Sequence, residues 1–365
     1  MKTLVCLMAI CSVFIFFSGC NVNFEQFGEF TVKYKKNGCK EITDGIGRKL
    51  LLVPRGCKIQ STYKKSNIVH IPVKRVAVYS TYNAALIKAL GHADSIVGVI
   101  TKKDKWGIPE IKSGIEHGRI AYLGQYTSID YEKLQALKPD VVFTWDGGIT
   151  PRLSGLGIPS VVTTTRIAKD LDTHINFIRF LAAFYNEEKK AKAFAECQFE
   201  RIKKISARIR QEKRLPKVVW GDIYARKVQV EPGNSWAAEI VQKAGCNYLF
   251  RDLEGASCMQ ITLEKFFLRT KEADIIITYR GPETGITSKE MLRKSSRLLQ
   301  TVDIRPMNRG KIYFTGWKLY QTADTAGIIA ELATIIHPEL FPAKEKTEYF
   351  FELPDKQKTD QDRLP

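Results

Sequence analysis

Histidine is scarce in this sequence, five in 365 residues, and no two fall within one helical turn. No Cys-x-x-Cys pair occurs among the eight cysteines. The signatures of a zinc ribbon, a metalloprotease helix or a histidine-built metal site are therefore missing, and no metal site is expected. There is no Gly-x-Ser-x-Gly elbow, no Walker loop and no Gly-x-Gly-x-x-Gly after a strand, and Gly155-Leu-Gly157 is too short to count. Nothing here marks an enzyme. The one long apolar run, Leu4 to Phe17, is too short to cross a hydrocarbon layer of about 30 Å. A composition of 44% hydrophobic and 26% charged residues excludes wholesale disorder, collagen and a multi-span membrane protein.

Positive charge is abundant, with 57 Lys+Arg against 39 Asp+Glu, a formal +18. The N-terminus decides what that charge can meet. Lys2 precedes the apolar run, which ends in Ser18-Gly19-Cys20. This reads as a processing site and resembles the bacterial lipobox, in which cleavage leaves a lipidated cysteine as residue one. Phe17 departs from that pattern. An ordinary signal peptide and an uncleaved anchor are the alternatives. Residues 1–19 are thus expected to be a signal peptide, Cys20 the lipidation site, and the chain extracytoplasmic and membrane-anchored. The signal removes only Lys2, leaving 56 Lys+Arg against 39 Asp+Glu, or +17. The remaining basic runs, Lys33 to Lys36, Lys102 to Lys105 and Arg201 to Arg214, are scattered and lack the module that base readout needs. No nucleic-acid partner is expected. Anionic ligands and headgroups remain. In an oxidising compartment Cys39 could pair with Cys57 and Cys246 with Cys258, with Cys197 left over inside a helix pattern.

The mature chain reads as strand, helix and strand in alternation, twice over. Buried-strand runs at 74–80, 95–100, 141–144 and 160–163 alternate with helix patterns at Asn83–Leu90 and Asp130–Leu137. In the second half, strands at 216–222, 247–250, 274–278 and 311–315 alternate with helices at Ser235–Ala244 and Thr262–Leu268. The expected fold class is α/β, with two lobes built on largely parallel sheets. One segment repeats closely. Asp130-Tyr-Glu132-Lys-Leu leads to Asp140-Val-Val-Phe-Thr-Trp145, and Thr262-Leu-Glu264-Lys-Phe leads to Asp274-Ile-Ile-Ile-Thr-Tyr279. Each has an N-cap two residues before Glu-Lys, and each strand opens on Asp and closes on an aromatic. Between the lobes, Asn186 caps a stretch from Glu187 to Lys213 with apolar positions 191, 194, 195, 199, 202, 205 and 209. That periodicity predicts one long amphipathic helix, about 40 Å if unbroken. The expected segments are a tether and N-terminal hairpin (20–72), a first lobe (73–168), a helical segment with the interlobe helix (169–213), a second lobe (214–318) and a C-terminal helix and tail (319–365).

In open parallel sheets ligands bind beyond the carboxyl ends of the strands. Those ends and their loops supply Tyr79, Tyr82, Trp106, Tyr126, Trp145 and Arg166 from the first half. From the second come Trp220, Tyr224, Tyr279, Arg280 and Trp317. Four of the five tryptophans stand on this expected rim. Aromatics flanked by Arg166 and Arg280 suit a large, partly apolar, anionic ligand. Any single rim aromatic is more often a packing residue, and Asp146 and Asp222 are more often hydrogen-bond acceptors than an acid–base pair.

The order of several short motifs resembles the substrate-binding lipoproteins of ABC importers, in the class whose lobes are joined by a rigid helix and which take iron complexes, haem or cobalamin. Ile42-Thr-Asp-Gly-Ile-Gly-Arg48 with Val53-Pro54 is similar to the family's opening hairpin. Arg75-Val-Ala-Val-Tyr-Ser80, Ala89-Leu-Gly91 and Ile96-Val-Gly-Val99 match its first strand–helix–strand unit. Leu137-Lys-Pro-Asp140 matches its most recurrent motif, and Trp317 to Leu340 resembles a C-terminal helix of the iron-complex branch. The resemblance implies a class III periplasmic-binding-protein fold, a ferric siderophore, haem or corrinoid as ligand, no resident cofactor, and a permease with its ATPase as partners. A monomer is expected. It assigns Glu132 and Glu264 to permease docking and places Tyr126 and Trp145 where cobalamin binders flank the corrin. A secreted enzyme or a sensor on the same scaffold are the readings from other classes.

Overall fold

The computed structural model describes residues 23–356 apart from 58–61, 211, 213–214, 225–226, 302 and 343–345. The signal segment and Cys20 lie outside the described residues, as does the side chain of Tyr224. Among the described residues, no helix is long and apolar enough to cross a membrane.

The N-terminal segment is larger than the expected hairpin. It is a five-stranded sheet of β1 (Phe24–Phe27), β2 (Phe30–Tyr34), β3 (Lys40–Thr43), β4 (Lys49–Pro54) and β5 (Ile68–Ile71). The first four strands run antiparallel, and β5 joins β4 in parallel. Its apolar face, with Phe30, Val32, Ile42, Leu50 and Leu52 almost without exposure, packs into the core of the first lobe.

That lobe contains β6 (Val76–Val78), α1 (Thr81–Ala89), β7 (Ile96–Val99), α2 (Pro109–Glu116), β8 (Ala121–Tyr122), α3 (Tyr131–Ala136), β9 (Val141–Thr144), α4 (Thr150–Gly155) and β10 (Ser160–Val162). The sheet order is β10-β9-β6-β7-β8, every pairing is parallel, and helices cover it, as buried parallel strands require.

Two helices follow, α5 (Leu171–Ala182) and α6 (Glu188–Ile209). The interlobe helix is shorter than predicted: 22 residues, about 33 Å at 1.5 Å per residue. Asn186 does not cap it. Asn186 adopts a left-handed backbone (φ 60°), and Glu187 is the N-cap without a side-chain bond. The predicted apolar positions are correct, and they divide between two cores. Ala191 and Phe194 pack in the first lobe, whereas Ala195, Phe199, Ile202, Ile205 and Ile209 pack in the second. One rigid rod therefore serves as a wall of both lobes.

The second lobe holds β11 (Lys217–Tyr224), β12 (Lys227–Val230), α7 (Trp236–Lys243), β13 (Asn247–Tyr248), β14 (Met259–Ile261), α8 (Leu263–Thr270), β15 (Ile275–Thr278), the short helices α9 (Lys289–Lys294), α10 (Arg297–Thr301) and α11 (Arg305–Asn308), β16 (Lys311–Thr315), α12 (Thr325–Ile336) and β17 (Phe350–Glu352). Strands β13, β11, β15 and β16 pair in parallel, as expected. Around them the chain adds antiparallel pairs that the sequence reading did not include: β12 on β11, β14 on β12, and β17 on β16. The tail beyond α12 is thus in part an edge strand. All five cysteines of the described residues are free, Cys39 and Cys246 buried, Cys57 and Cys197 exposed. Neither of the two possible pairs, Cys39 with Cys57 and Cys246 with Cys258, is bridged.

Candidate ligand cleft

The cleft follows from where strands end. In the first lobe, β10 delivers Thr164 and Thr165, then a loop delivers Ala168 and Lys169 before α5 begins behind its N-cap Asp170. Opposite, Glu231 directly follows β12, Ser235 caps α7, and Trp236 is the first residue of that helix. These side chains, with Tyr82, His174, Cys258 and Tyr320, line a cavity of about 490 Å³ between the lobes. An adjoining cavity of about 410 Å³ is lined by Tyr279, Phe314, Trp317 and again Tyr320.

A column of rings crosses from lobe to lobe. Tyr82 of α1 stacks on His174 of α5 at 4.3 Å, and His174 stacks on Trp236 of α7 at 4.4 Å. Tyr320 meets Trp236 edge-on at 6.3 Å. Such offset and edge contacts are the favourable aromatic geometries. The Tyr82 hydroxyl donates to the His174 carbonyl at 2.9 Å, which fixes α1 to α5. Burial beside Lys169 pushes the His174 imidazole down to about 3, so this ring is neutral and acts as a spacer.

The cleft carries little free charge. Burial pushes the Lys169 ammonium down to about 7; it donates to the Thr163 carbonyl at 2.6 Å and lies 4.0 Å from the centre of the Phe177 ring. Burial also raises the Glu231 carboxyl, which accepts from the Tyr279 hydroxyl. The Cys258 thiol, raised to about 11 by burial, lies 3.8 Å from the same hydroxyl. Phenols, a thiol and a carboxyl held towards neutrality, with a lysine that keeps part of its charge near neutral pH, can meet a bulky ligand with one cation and several donors.

The lobes also touch directly beside the cavity. Trp236 N–H donates to the Lys169 carbonyl at 2.7 Å and Ala168 N–H to the Gly255 carbonyl at 2.9 Å. Gly107 N–H donates to Gln321 Oε1 at 2.8 Å, and Gln321 returns a bond to the Lys105 carbonyl at 2.7 Å. Gly107 is needed there, because a Cβ would meet the Trp317 ring at 2.6 Å.

Of the residues expected on the rim, the structure brings together Tyr82, Tyr279 and Trp317. Tyr126 and Trp145 face each other at 5.0 Å but line neither cavity. The others are corrections. Tyr79, Trp106 and Trp220 are packed in hydrophobic cores, at 4%, 3% and 0% exposure. Trp106 donates inward to the Thr101 carbonyl at 3.0 Å. Arg166 points away, paired with Glu29 at 2.8 Å. Arg280 is buried and clamps both oxygens of Asp222 at 2.7 Å. The two arginines are therefore not cleft cations; Lys169 takes that place. Lys169, His174, Glu231, Trp236, Cys258 and Tyr320 were not anticipated. Trp236 is the one tryptophan not assigned to the rim, although its position just after a helix N-cap, which faces a cleft in such folds, was available as a signal.

Glu132 and Glu264 stand in the first turns of α3 and α8, both exposed. Their N-caps Asp130 and Thr262 accept from Lys133 N–H at 2.8 Å and Lys265 N–H at 3.2 Å. The two carboxylates occupy the same place in the two lobes.

Comparison with known proteins agrees with this architecture. The family model described as periplasmic binding protein matches residues 76–302. An uncharacterized lipoprotein of Methanocaldococcus jannaschii is 27% identical over 330 residues, covering 85% of this chain and 77% of that one. A vitamin B12-binding protein of Vibrio parahaemolyticus is 22% identical, covering 57% and 72%. Among solved structures, a periplasmic haem-binding protein of Pseudomonas aeruginosa superposes with TM-score 0.59 at 16% identity, covering 79% of this chain and all of the other. The siderophore-binding protein of Vibrio cholerae, solved with ferric Desferal, gives 0.56 at 19%, covering 74% and 99%. These structures share the fold.

Proposed function

The chain belongs to the periplasmic binding protein family, and from that premise we propose that it is the extracytoplasmic ligand-capturing component of an ABC importer. Its ligand is a ferric siderophore or a related iron complex, taken up between the lobes and handed on unchanged to a permease driven by its ATPase. Cys20 carries the lipid that holds the protein at the membrane, and Glu132 and Glu264 are the docking carboxylates. The observation that carries the reading is the interlobe cavity of about 490 Å³, lined from both lobes by Tyr82, His174, Trp236 and Tyr320 with Lys169 beside them. A stack of rings with one cation suits a bulky chelate and offers a bare hydrated ion little. A second reading, cobalamin, is favoured by Tyr126 and Trp145, paired at 5.0 Å on the first lobe. Haem fits the same cavity chemistry.

The test uses Trp236 as the reporter. Titration of the purified protein with ferric siderophores, haem and cobalamin should quench tryptophan fluorescence saturably with one of the three, and Trp236→Phe should remove most of the signal. Absence of quenching and of any absorption change with all three would sink the ligand class.

A further inference from the structure

A second polar cluster lies away from the cleft. Helix α7 starts at the cavity with Trp236, α12 starts at Thr325 a turn beyond the cavity residue Tyr320, and the far end of α12, at His337, lies against Gly245 just past the end of α7. His337 is the C-cap of α12, and Gly245 follows α7 with a left-handed backbone (φ 82°). The interlobe helix α6 ends in the same place. Glu212 N–H donates to the Ile209 carbonyl at 2.9 Å, and a Cβ on Gly245 would meet both Ile209 (2.4 Å) and His337 (2.7 Å). Three helix C-termini thus converge, and the negative ends of their dipoles favour a cation there.

The side chains at that point have the chemistry of metal ligands. One donor atom each from Glu212, His337 and Glu339 lies within 4.8 Å of the others. The His337 side chain is 4% exposed. Its Nε2 is 3.1 Å from the Gly245 carbonyl, which can only accept, so Nε2 carries the hydrogen. That leaves the lone pair of Nδ1 as the ligating one, and Nδ1 lies 3.6 Å from Glu339 Oε1. A backbone carbonyl that fixes tautomer and ring orientation is the usual support of a ligating histidine. Zinc bonds of about 2.0–2.2 Å to nitrogen and oxygen put tetrahedral ligands roughly 3.3 Å apart, so His337 and Glu339, at 3.6 Å, stand near that spacing, and the set with Glu212, within 4.8 Å, closes by about 1.5 Å at most.

We propose that Glu212, His337 and Glu339 bind a divalent transition-metal ion of the Zn²⁺ type, which ties the end of the interlobe helix to the end of α12. One imidazole and two carboxylates select zinc-like ions over Ca²⁺ or Mg²⁺, which take oxygen-only shells. The ligands lie 125 and 2 residues apart, so no motif could show the site. This inference is independent of the ligand proposed for the cleft.

The experiment is calorimetric titration of metal-free protein with Zn²⁺, repeated with Co²⁺ to read its visible absorption bands. One ion per chain should bind. Glu212→Gln and Glu339→Gln should each weaken binding at least about tenfold, and His117→Ala, which alters an exposed histidine, should leave it unchanged. Both glutamates are at least partly exposed, so their variants keep the fold. No binding to the wild type would make the cluster an ordinary histidine–glutamate ion pair. Unchanged affinity in both glutamine variants, or loss in His117→Ala, would equally overturn the site.

Discussion

Set side by side, the two lobes share their beginnings and differ at their ends. In the first lobe Val76 pairs with Val141, and in the second Val218 pairs with Ile275. Asp140 and Asp274 precede the second strand of each pair. Asp140 Oδ2 accepts the backbone N–H groups of Lys74 and Arg75 at 2.7 and 3.0 Å, and Asp274 Oδ2 accepts that of Lys217 at 2.9 Å. At the far end Thr144 and Thr278 each accept the N–H two residues on, at 3.0 and 3.1 Å. Beyond those threonines the likeness stops. The register matches Ser80 to Asp222 and Asp146 to Arg280. In the first lobe Ser80 caps a helix and Asp146 closes a loop onto Gly148 N–H. In the second, Asp222 and Arg280 form a buried ion pair. The frame is common, and the carboxyl ends, where a ligand is met, have diverged.

The largest effect should fall where the lobes agree. Glu132→Lys and Glu264→Lys should each abolish import in a transport assay with the permease, while fluorescence titration finds ligand affinity within about twofold of wild type. Loss in one lobe alone would break the symmetry of docking, and equal loss of ligand affinity would move both residues into the binding site.

The next effect should separate the lobes. Asp222→Ala strands Arg280, 7% exposed, without its carboxylate, and removing one partner of a buried pair costs about 3–5 kcal/mol. Ser80→Ala at the matching place removes only a helix N-cap, about 1 kcal/mol. Urea denaturation compares them. Similar losses would mean that the Asp222–Arg280 pair is solvated in solution and that the lobes differ less than the structure shows.

The same division explains what could be read from the sequence. The frame was legible, since buried-strand runs, N-caps and the Asp-to-aromatic spacing are local patterns. So were the apolar positions of α6, because one helix face must serve two cores. The cleft was legible only in part. Trp220 and Arg280 stand at strand ends like true rim residues, but Trp220 is enclosed by Trp236 and Phe350 and Arg280 by Asp222. Those partners lie up to 130 residues away in sequence. The antiparallel additions β12, β14 and β17 were missed for a similar reason. They are short, and β14 is only part-buried, so their hydrophobic alternation barely registers. Lys169 was hidden by its type: a lysine between strand and helix reads as solvated until Phe30 and Phe177 are placed against it.

The smallest effect tests the shared frame itself. Asp140→Ala and Asp274→Ala each remove a carboxylate that accepts strand N–H groups and also holds an arginine, Arg55 at 2.7 Å or Arg305 at 3.1 Å. Hydrogen bonds to charged acceptors contribute about 1.5–3 kcal/mol, but both aspartates are about one-fifth exposed (19% and 21%), so water can replace part of the interaction. About 2 kcal/mol for each is the expected loss by urea denaturation, with the two agreeing to within about 1 kcal/mol. Agreement would show that one device sets the strand register in both lobes. A much larger loss for Asp140, which receives two backbone N–H groups, would mean that the first lobe depends on the clamp. The second lobe would then draw its register from the antiparallel strands around it, and the repeat would be one of outline more than of energetics.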